Sequence, residues 1–247
     1  MKAMILAAGV GSRLAPLTDT IPKALIPVGG VPMLERTLIR LKDAGVKSFV
    51  VNAHHHAGKV LEFCAALSRR YTVPVSVSRE DDLLLDTGGA IKKAAALLRG
   101  REPFFVHNAD VLTDLDLKTL YAAHLESKAL VTLSVRERES GRSYLFDAKG
   151  RFVGHDDRKA GRTTWTKGAV PDAKRLPFDG IHVISPAVLD QMTESGVFSI
   201  TKTYLRLAAA GADIRAFRGD RWTWHDIGSP EKLAAAEAWA APLPPKG

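Results

Sequence analysis

Scarcity sets the first limits. A single cysteine, Cys64, occurs in 247 residues, so no internal disulfide can form and a reduced, cytoplasmic setting is the simplest expectation. Cys64 falls in a stretch that reads as helix, where a small buried hydrophobe is its expected role. No run approaches the roughly 20 apolar residues that a membrane-crossing helix requires. The N-terminal MKAMILAAGVGSR is broken by Gly9 and Gly11 and then meets Arg13, so it reads as a buried strand rather than a secretory leader. Internal repeats and low-complexity tracts are also missing, which sets aside solenoids and disordered arrays.

Apolar residues make up 46% and charged residues 25% of the chain, ordinary values for a protein with a sizeable core. The length exceeds the commonest domain size of roughly 100–150 residues but suits one large α/β unit, and a single domain over 1–247 is expected. The formal net charge is +8, which would suit nucleic acid, an acidic membrane or a phosphorylated small molecule. Between Arg151 and Arg175, seven Lys or Arg face three Asp, so half of the excess sits in one short segment. A local basic insertion fits a phosphate-bearing substrate as well as a polymer.

Apolar periodicity predicts a buried strand at Ala3 to Leu6, a helix from about Pro32 to Ala44, a strand at Ser48 to Asn52, a helix through Cys64 to Arg70 and a strand at Val75 to Ser78. It continues with a helix over about Gly89 to Leu98, a strand at Pro103 to His107, a helix near Leu117 to Ser127 and a strand at Ala129 to Val135. Repeated βα units of this length predict an α/β fold with a mostly parallel, doubly wound sheet. Ligands then bind beyond the carboxyl ends of the strands. From 136 to 176 the pattern weakens into a charged insertion with a hairpin around Tyr144 to Phe152. Strands at Phe178 to Ile184, Ile214 to Phe217 and Trp222 to Asp226, and helices at Thr201 to Ala210 and after Pro230, complete the chain before a frayed PLPPKG tail.

The loop Ala7 to Leu14 (AAGVGSRL) follows the first strand. Its glycines let backbone amides approach an anion closely, and Arg13 adds a forked cation. A dinucleotide-binding turn would want a third glycine at position 14 and an acidic end to the second strand, where this chain has Leu14 and Asn52. The Gly-Lys-Ser/Thr of P-loop enzymes is absent. In PKALIPV, Lys23 lies between Pro22 and Pro27, which restrict the backbone; it either delivers its ammonium to a fixed place or is an exposed loop lysine.

Asp110 follows the strand PFFVH and should project into the crevice, and Asp226 ends WTWHD. Carboxylates from two strands suit magnesium, which prefers oxygen ligands shared with phosphate and water; a helix N-cap and a turn residue are the alternative roles. Thr87, Gly88 and Gly89 open a helix, either as nucleotide contacts or as an ordinary cap. Asn108 either orients sugar hydroxyls or makes a structural hydrogen bond. Three successive histidines, His54 to His56, cannot face one point, so zinc is not expected there, although one of them fits the pocket mouth. Trp222, Trp224 and Trp239 are expected to pack a core or interface.

LAAGVGSRLAPLTDTIPKALIPVGGVPM resembles the signature of the sugar nucleotidyltransferases in residues and spacing. LLDTGGAIKKA resembles that family's base- and ribose-binding turn, HNADVLTD its metal-binding strand end, FDGIHVI its sugar-contacting strand and WHDIGSPEKL its second metal-binding site. The likeness covers most of the chain outside 136–176. It implies a Rossmann-like mixed sheet of the nucleotide-diphospho-sugar transferase type, and transfer of a nucleotidyl group from a nucleoside triphosphate to a sugar 1-phosphate with release of pyrophosphate. Mg2+ is the implied cofactor, held by Asp110 and Asp226. Ala7, Ala8, Gly9, Gly11, Ser12, Arg13, Thr87 and Gly88 are the implied nucleotide-binding positions, Arg13, Lys23 and Asp110 the catalytic ones, and Asn108 and Gly180 the sugar-binding ones.

Many relatives carry a Glu, Lys, Pro cluster on the sugar side, but Phe152 to Pro177 holds none, which leaves Lys167 and Lys174 as candidates for a second phosphate-binding lysine. The compact length and the TGG turn resemble most the N-acetylmuramate 1-phosphate uridylyltransferases of cell-wall recycling; mannose 1-phosphate guanylyltransferases and glucose 1-phosphate thymidylyltransferases are also similar. Non-catalytic nucleotide-sugar-binding regulators share the fold, but the full set of Gly11, Arg13, Lys23, Asp110 and Asp226 argues for an intact site. Nucleic acid and membranes are not expected partners, because no recognition module is present; monomer and homo-oligomer both stay open.

Overall fold

The computed structural model describes residues 1–240; the expectation of a frayed Pro242 to Gly247 tail lies outside the described residues. Four strands run parallel at the heart of the molecule: β1 (Lys2–Leu6), β2 (Ser48–Ala53), β3 (Val75–Arg79) and β4 (Phe104–Asn108). β1 lies between β2 and β4, with Leu6 level with both Asn52 and Asn108. Side chains alternate across the sheet: Ala3 and Ile5 enter one core and Met4 the other. Both faces are therefore buried, which is why these strands read as continuous apolar runs.

After the short β5 (Val111–Thr113) come β6 (Val131–Val135), then β7 (Arg142–Phe146), β8 (Phe152–Asp157), β9 (Arg162–Trp165), β10 (Lys174–Leu176), β11 (Phe178–Ile184), β12 (Ile214–Arg218) and β13 (Trp224–Asp226). The main sheet has the order β12-β6-β11-β4-β1-β2-β3. All its pairings are parallel except the two made by β11, so the expected α/β fold with a mostly parallel, mixed sheet is present. Helices α1 (Met33–Asp43), α2 (Ala57–Tyr71) and α5 (Leu117–Ser127) cover one face, through Leu34, Leu38, Leu41, Val60, Cys64 and Leu120. Helices α3 (Asp86–Lys93), α4 (Ala95–Leu98), α6 (Ala187–Gln191) and α7 (Ile200–Ala209) cover the other. The single helix predicted over 89–98 thus begins at Asp86 and divides at Ala94.

The charged segment carries more order than its composition predicts. The expected hairpin is present as β7 and β8, with Phe146 opposite Phe152, and it is extended by β9 and β10 into a four-stranded antiparallel sheet, β9-β8-β7-β10. Tyr144, Phe146, Phe152 and Leu176 from that sheet enter the same core as α7. Part of its positive charge is answered internally, Arg142 by Asp157 at 2.9 Å and Arg175 by Asp156 at 3.2 Å. These cross-strand pairs look in sequence like an unstructured run of charge.

A third, smaller cluster positions the ligand end. Leu14, Ile26, Leu112 and Ile227 are buried together with residues of α8 (Pro230–Ala240). Each follows a predicted site residue by one to three positions: Arg13, Lys23, Asp110 and Asp226. Four separate segments are thereby anchored at one spot.

Candidate active site

β1, β2 and β4 end at a cavity of about 420 Å3 lined by Leu6, Asn52 and Asn108 from the strand ends, by Ala7, Ala8 and Gly9 from the glycine loop, and by Lys23, Asp86, Thr87 and Asp110. Its place beyond the carboxyl ends of parallel strands is where open α/β sheets bind ligands. Asn52 organises its floor: its Oδ1 accepts the Ala7 amide at 2.7 Å, and its Nδ2 donates to Glu80 Oε1 at 2.7 Å. Buried Glu80 also accepts the Leu85 amide through Oε2. One chain of hydrogen bonds therefore joins the glycine loop to the loop ahead of α3. Asn52→Leu leaves both the Ala7 amide and a Glu80 oxygen without that partner, at roughly 1–3 kcal/mol for each buried group; chemical denaturation should show a loss of that size.

Lys23 and Asp110 form an ion pair in which both side chains are largely buried. Gly11 permits it, because its φ of +73° is left-handed and an added Cβ would sit 2.9 Å from Thr18 Cγ2 and 3.1 Å from Lys23 Cβ. Asp226 is brought beside this pair by backbone register: β13 runs antiparallel to β5, Asp226 lies opposite Val111, and the Ile227 amide donates to the Asp110 carbonyl at 3.0 Å. Asp226 also accepts the Gly228 amide and pairs with Lys232. A Cβ on Gly228 would meet Asp226 Oδ1 at 2.6 Å and Arg13 Nη2 at 3.0 Å, so Arg13 and Asp226 share the space that this glycine leaves.

The remaining predicted residues are placed unevenly. Asn108 lines the cavity and rests on Gly180, whose φ is +80° and whose Cβ would stand 2.7 Å from Asn108 Nδ2. Thr87 lines the cavity while its hydroxyl accepts the Ile200 amide at 3.0 Å. Gly88 is buried, with its amide directed to the Phe198 carbonyl at 2.9 Å and no room for a Cβ beside the Phe198 ring; it shapes the turn and is not part of the cavity lining. Ser12 and Arg13 are exposed and outside the cavity lining. Lys167, in the bend after β9, and Lys174, on β10, are exposed and line neither this cavity nor the next.

No histidine lines the pocket mouth among the described residues, contrary to the expectation for His54 to His56. His54 instead meets the Glu80 carbonyl through Nδ1, and His56 adopts a left-handed conformation at the start of α2. The tryptophans pack as expected: Trp222 stacks on Phe217, and Trp224 donates to the Asp179 carbonyl at 2.9 Å. Reading the sequence missed Asn52 and Asp86. Asn52 had a signal, a polar residue ending a buried strand, but it registered only as the lack of an acid.

Two carboxylates that could hold a divalent ion come together through backbone pairing, Asp110 from the cavity lining and Asp226 from the strand opposite, outside that lining. No cluster of three or more His, Cys, Asp or Glu is arranged for a metal among the described residues. Two carboxylates fit an ion such as magnesium, which is commonly held by one or two protein carboxylates and completed by substrate phosphates and water.

A family model described as nucleotidyl transferase matches residues 2–241, nearly the whole length. The chain belongs to the nucleotidyl transferase family. It is a sugar-1-phosphate nucleotidyltransferase. The N-acetylmuramate alpha-1-phosphate uridylyltransferase of Neisseria meningitidis serogroup B is 33% identical over 97% of this transferase and 98% of the relative. The enzyme of the same description from Caulobacter vibrioides is 31% identical over 96% and 95%. A UDP-glucose pyrophosphorylase from Acinetobacter baumanii has the same fold, with a TM-score of 0.79, 18% identity and coverage of 99% and 94%. In this transferase the shared fold brings the glycine loop, Lys23 and Asp110 to one cavity.

Proposed function

We propose that this enzyme transfers a uridylyl group from UTP to N-acetylmuramate 1-phosphate, releasing pyrophosphate and forming UDP-N-acetylmuramate, a reaction that belongs to cell-wall recycling in the cytoplasm. The near full-length likeness to two enzymes of that description carries the choice of substrates. Residues 1–247 act as one catalytic unit, with 136–176 as its sugar side. No described helix is long and apolar enough to cross a membrane.

The chemistry needs no nucleophilic side chain. A phosphate monoester has its second pKa near 6, so the attacking oxygen is largely deprotonated at neutral pH. No His, Cys or Ser is among the residues that line the described cavity, and the barrier is the approach of two anions. Amides at Gly9 and Gly11 and the Arg13 guanidinium hold the triphosphate. Lys23 exchanges Asp110 for a phosphate oxygen at the reacting centre. Thr87 meets the base or ribose, with Gly88 holding its turn, and Asn108, backed by Gly180, orients the sugar. Asp110 and Asp226 would hold Mg2+, which when bound would neutralise negative charge on the phosphates.

Pyrophosphate release is to be measured with UTP, GTP, dTTP, CTP and ATP, each with N-acetylmuramate, mannose and glucose 1-phosphates. UTP with N-acetylmuramate 1-phosphate should give kcat/KM at least about tenfold above any other pair, a preference worth about 1.4 kcal/mol. A faster guanylyl or thymidylyl transfer to a hexose phosphate would overturn the assignment.

A further inference from the structure

Beside the first cavity lies a second, of about 210 Å3, whose lining includes Arg138, Arg142, Ser143, Tyr144, His155 and Phe178. The two are neighbours along shared elements. Phe178 lies two residues before Gly180, which supports Asn108, and Thr201, also in the second lining, follows the residue whose amide is bound to Thr87. The second cavity therefore adjoins the proposed sugar position, on the side of the small antiparallel sheet.

Its chemistry is one-sided. Two guanidinium groups line it and no carboxylate does. Arg138 is held over the Trp224 ring, its Cζ 4.5 Å from the centroid, with Nη2 donating to the Phe178 carbonyl at 3.0 Å. Its Nε is buried and has no hydrogen-bond partner among the described residues, a donor that water or a ligand must satisfy. Arg142 uses Nε on Asp157, and its side chain stays 72% exposed, so its terminal nitrogens remain within reach of an incoming group. The opposite character comes from an aromatic wall: Tyr144 lies 5.4 Å from Phe178 and 5.7 Å from His155, ring to ring.

We infer that this second cavity is a carboxylate subsite for the acceptor sugar, in which Arg138 and Arg142 bind a carboxylate carried on a short carbon arm that packs against Tyr144 and Phe178. The inference rests on the proposed sugar-1-phosphate reaction and names what its acceptor must bear. A planar carboxylate matches a guanidinium fork, and the apolar wall favours a carbon-linked acid over a compact, doubly charged phosphate. A cavity of about 210 Å3 has room for a short acid side arm.

N-acetylmuramate and N-acetylglucosamine 1-phosphates differ by such an arm, and glucuronate and glucose 1-phosphates differ by a carboxylate placed elsewhere. Arg142→Met should lower kcat/KM for the carboxylated member at least about tenfold more than for its uncharged partner, mainly through KM, as expected for loss of a charge-assisted hydrogen bond. Arg138→Met should do the same, with thermal melting used to confirm that both variants fold. Equal losses for both members, or a wild type without preference for the carboxylate, would overturn the subsite. Saturation-transfer NMR of free N-acetylmuramate against N-acetylglucosamine, with UTP and Mg2+ present, reads the same preference without turnover; equal signals from the two sugars would overturn it as well. Arg142-dependent selection of glucuronate over muramate would leave the subsite standing and remove N-acetylmuramate as the substrate, whereas absence of pyrophosphate release with every pair would remove the proposed reaction alone.

Discussion

Asp110→Asn is expected to fold normally and to turn over at least about 100-fold more slowly, the scale on which loss of one electrostatic contact to a transition state is felt. The amide keeps the shape of the carboxyl group and can still accept a hydrogen bond from Lys23, but it removes the negative charge. The Asp110 side chain is 29% exposed and that of Lys23 13%, so some solvent screening remains and the loss of the ion pair should cost only about 1 kcal/mol of stability. The useful contrast is between a small shift in the melting curve and a large loss of rate. With UTP present, added Mg2+ should raise the melting temperature of the wild type and raise that of the variant much less. A variant with near-normal kcat and an unchanged magnesium response would remove Asp110 from the reaction.

The second large effect is a loss of stability in mild acid, arising from three buried histidines far more than from surface charge. Burial pushes the imidazoles of His107 and His124 down to about 4 and that of His182 to about 3, with His107 adding to the effect on His182. Each is built into the core as a neutral ring. His182 meets the Tyr204 hydroxyl at 2.8 Å, and His124 lies between Thr132 and Ser185. The unfolded chain takes up these protons near pH 6.5, whereas the folded chain refuses them until about pH 4 or below. Their contribution is therefore complete above about pH 6.5 and drains away as the pH falls to about 4, at a limiting slope of about 1.4 kcal/mol per pH unit for each histidine. Urea midpoints measured between pH 7 and 4.5 should fall steeply, and His124→Gln should make the fall shallower. A flat profile over that window would contradict the neutral, buried state of these rings.

The extent to which the site was legible follows from the range of each interaction. The glycine loop and Lys23 could be read because their signals are local: apolar strand, glycines, cation, prolines. Gly88 was ambiguous, because a glycine that frees backbone for a ligand and one that makes room for Phe198 look identical in one dimension. His54 to His56 misled because their position after a strand says nothing about where the chain turns next. The Arg138 and Arg142 cavity was not legible, because 136–176 reads only as a basic insertion until its strands pair.

By itself the sequence determined the strands of the main sheet and its large covering helices, since buried parallel strands need unbroken apolar runs and helices need a stripe, and both patterns are complete within a dozen residues; it did not determine the strands of 136–176 beyond one hairpin. It also marked the glycine loop that follows the first strand, which lines the cavity through Ala7, Ala8 and Gly9. Only the tertiary structure decided that β11 runs antiparallel, that β13 returns to β5 and places Asp226 opposite Val111, next to Asp110 in the chain, and that Arg138, ahead of the small sheet, and Arg142, within it, line one cavity. Those outcomes depend on pairings between segments far apart in the chain, whose free energy comes from burying faces against each other and leaves no periodic mark in either segment alone.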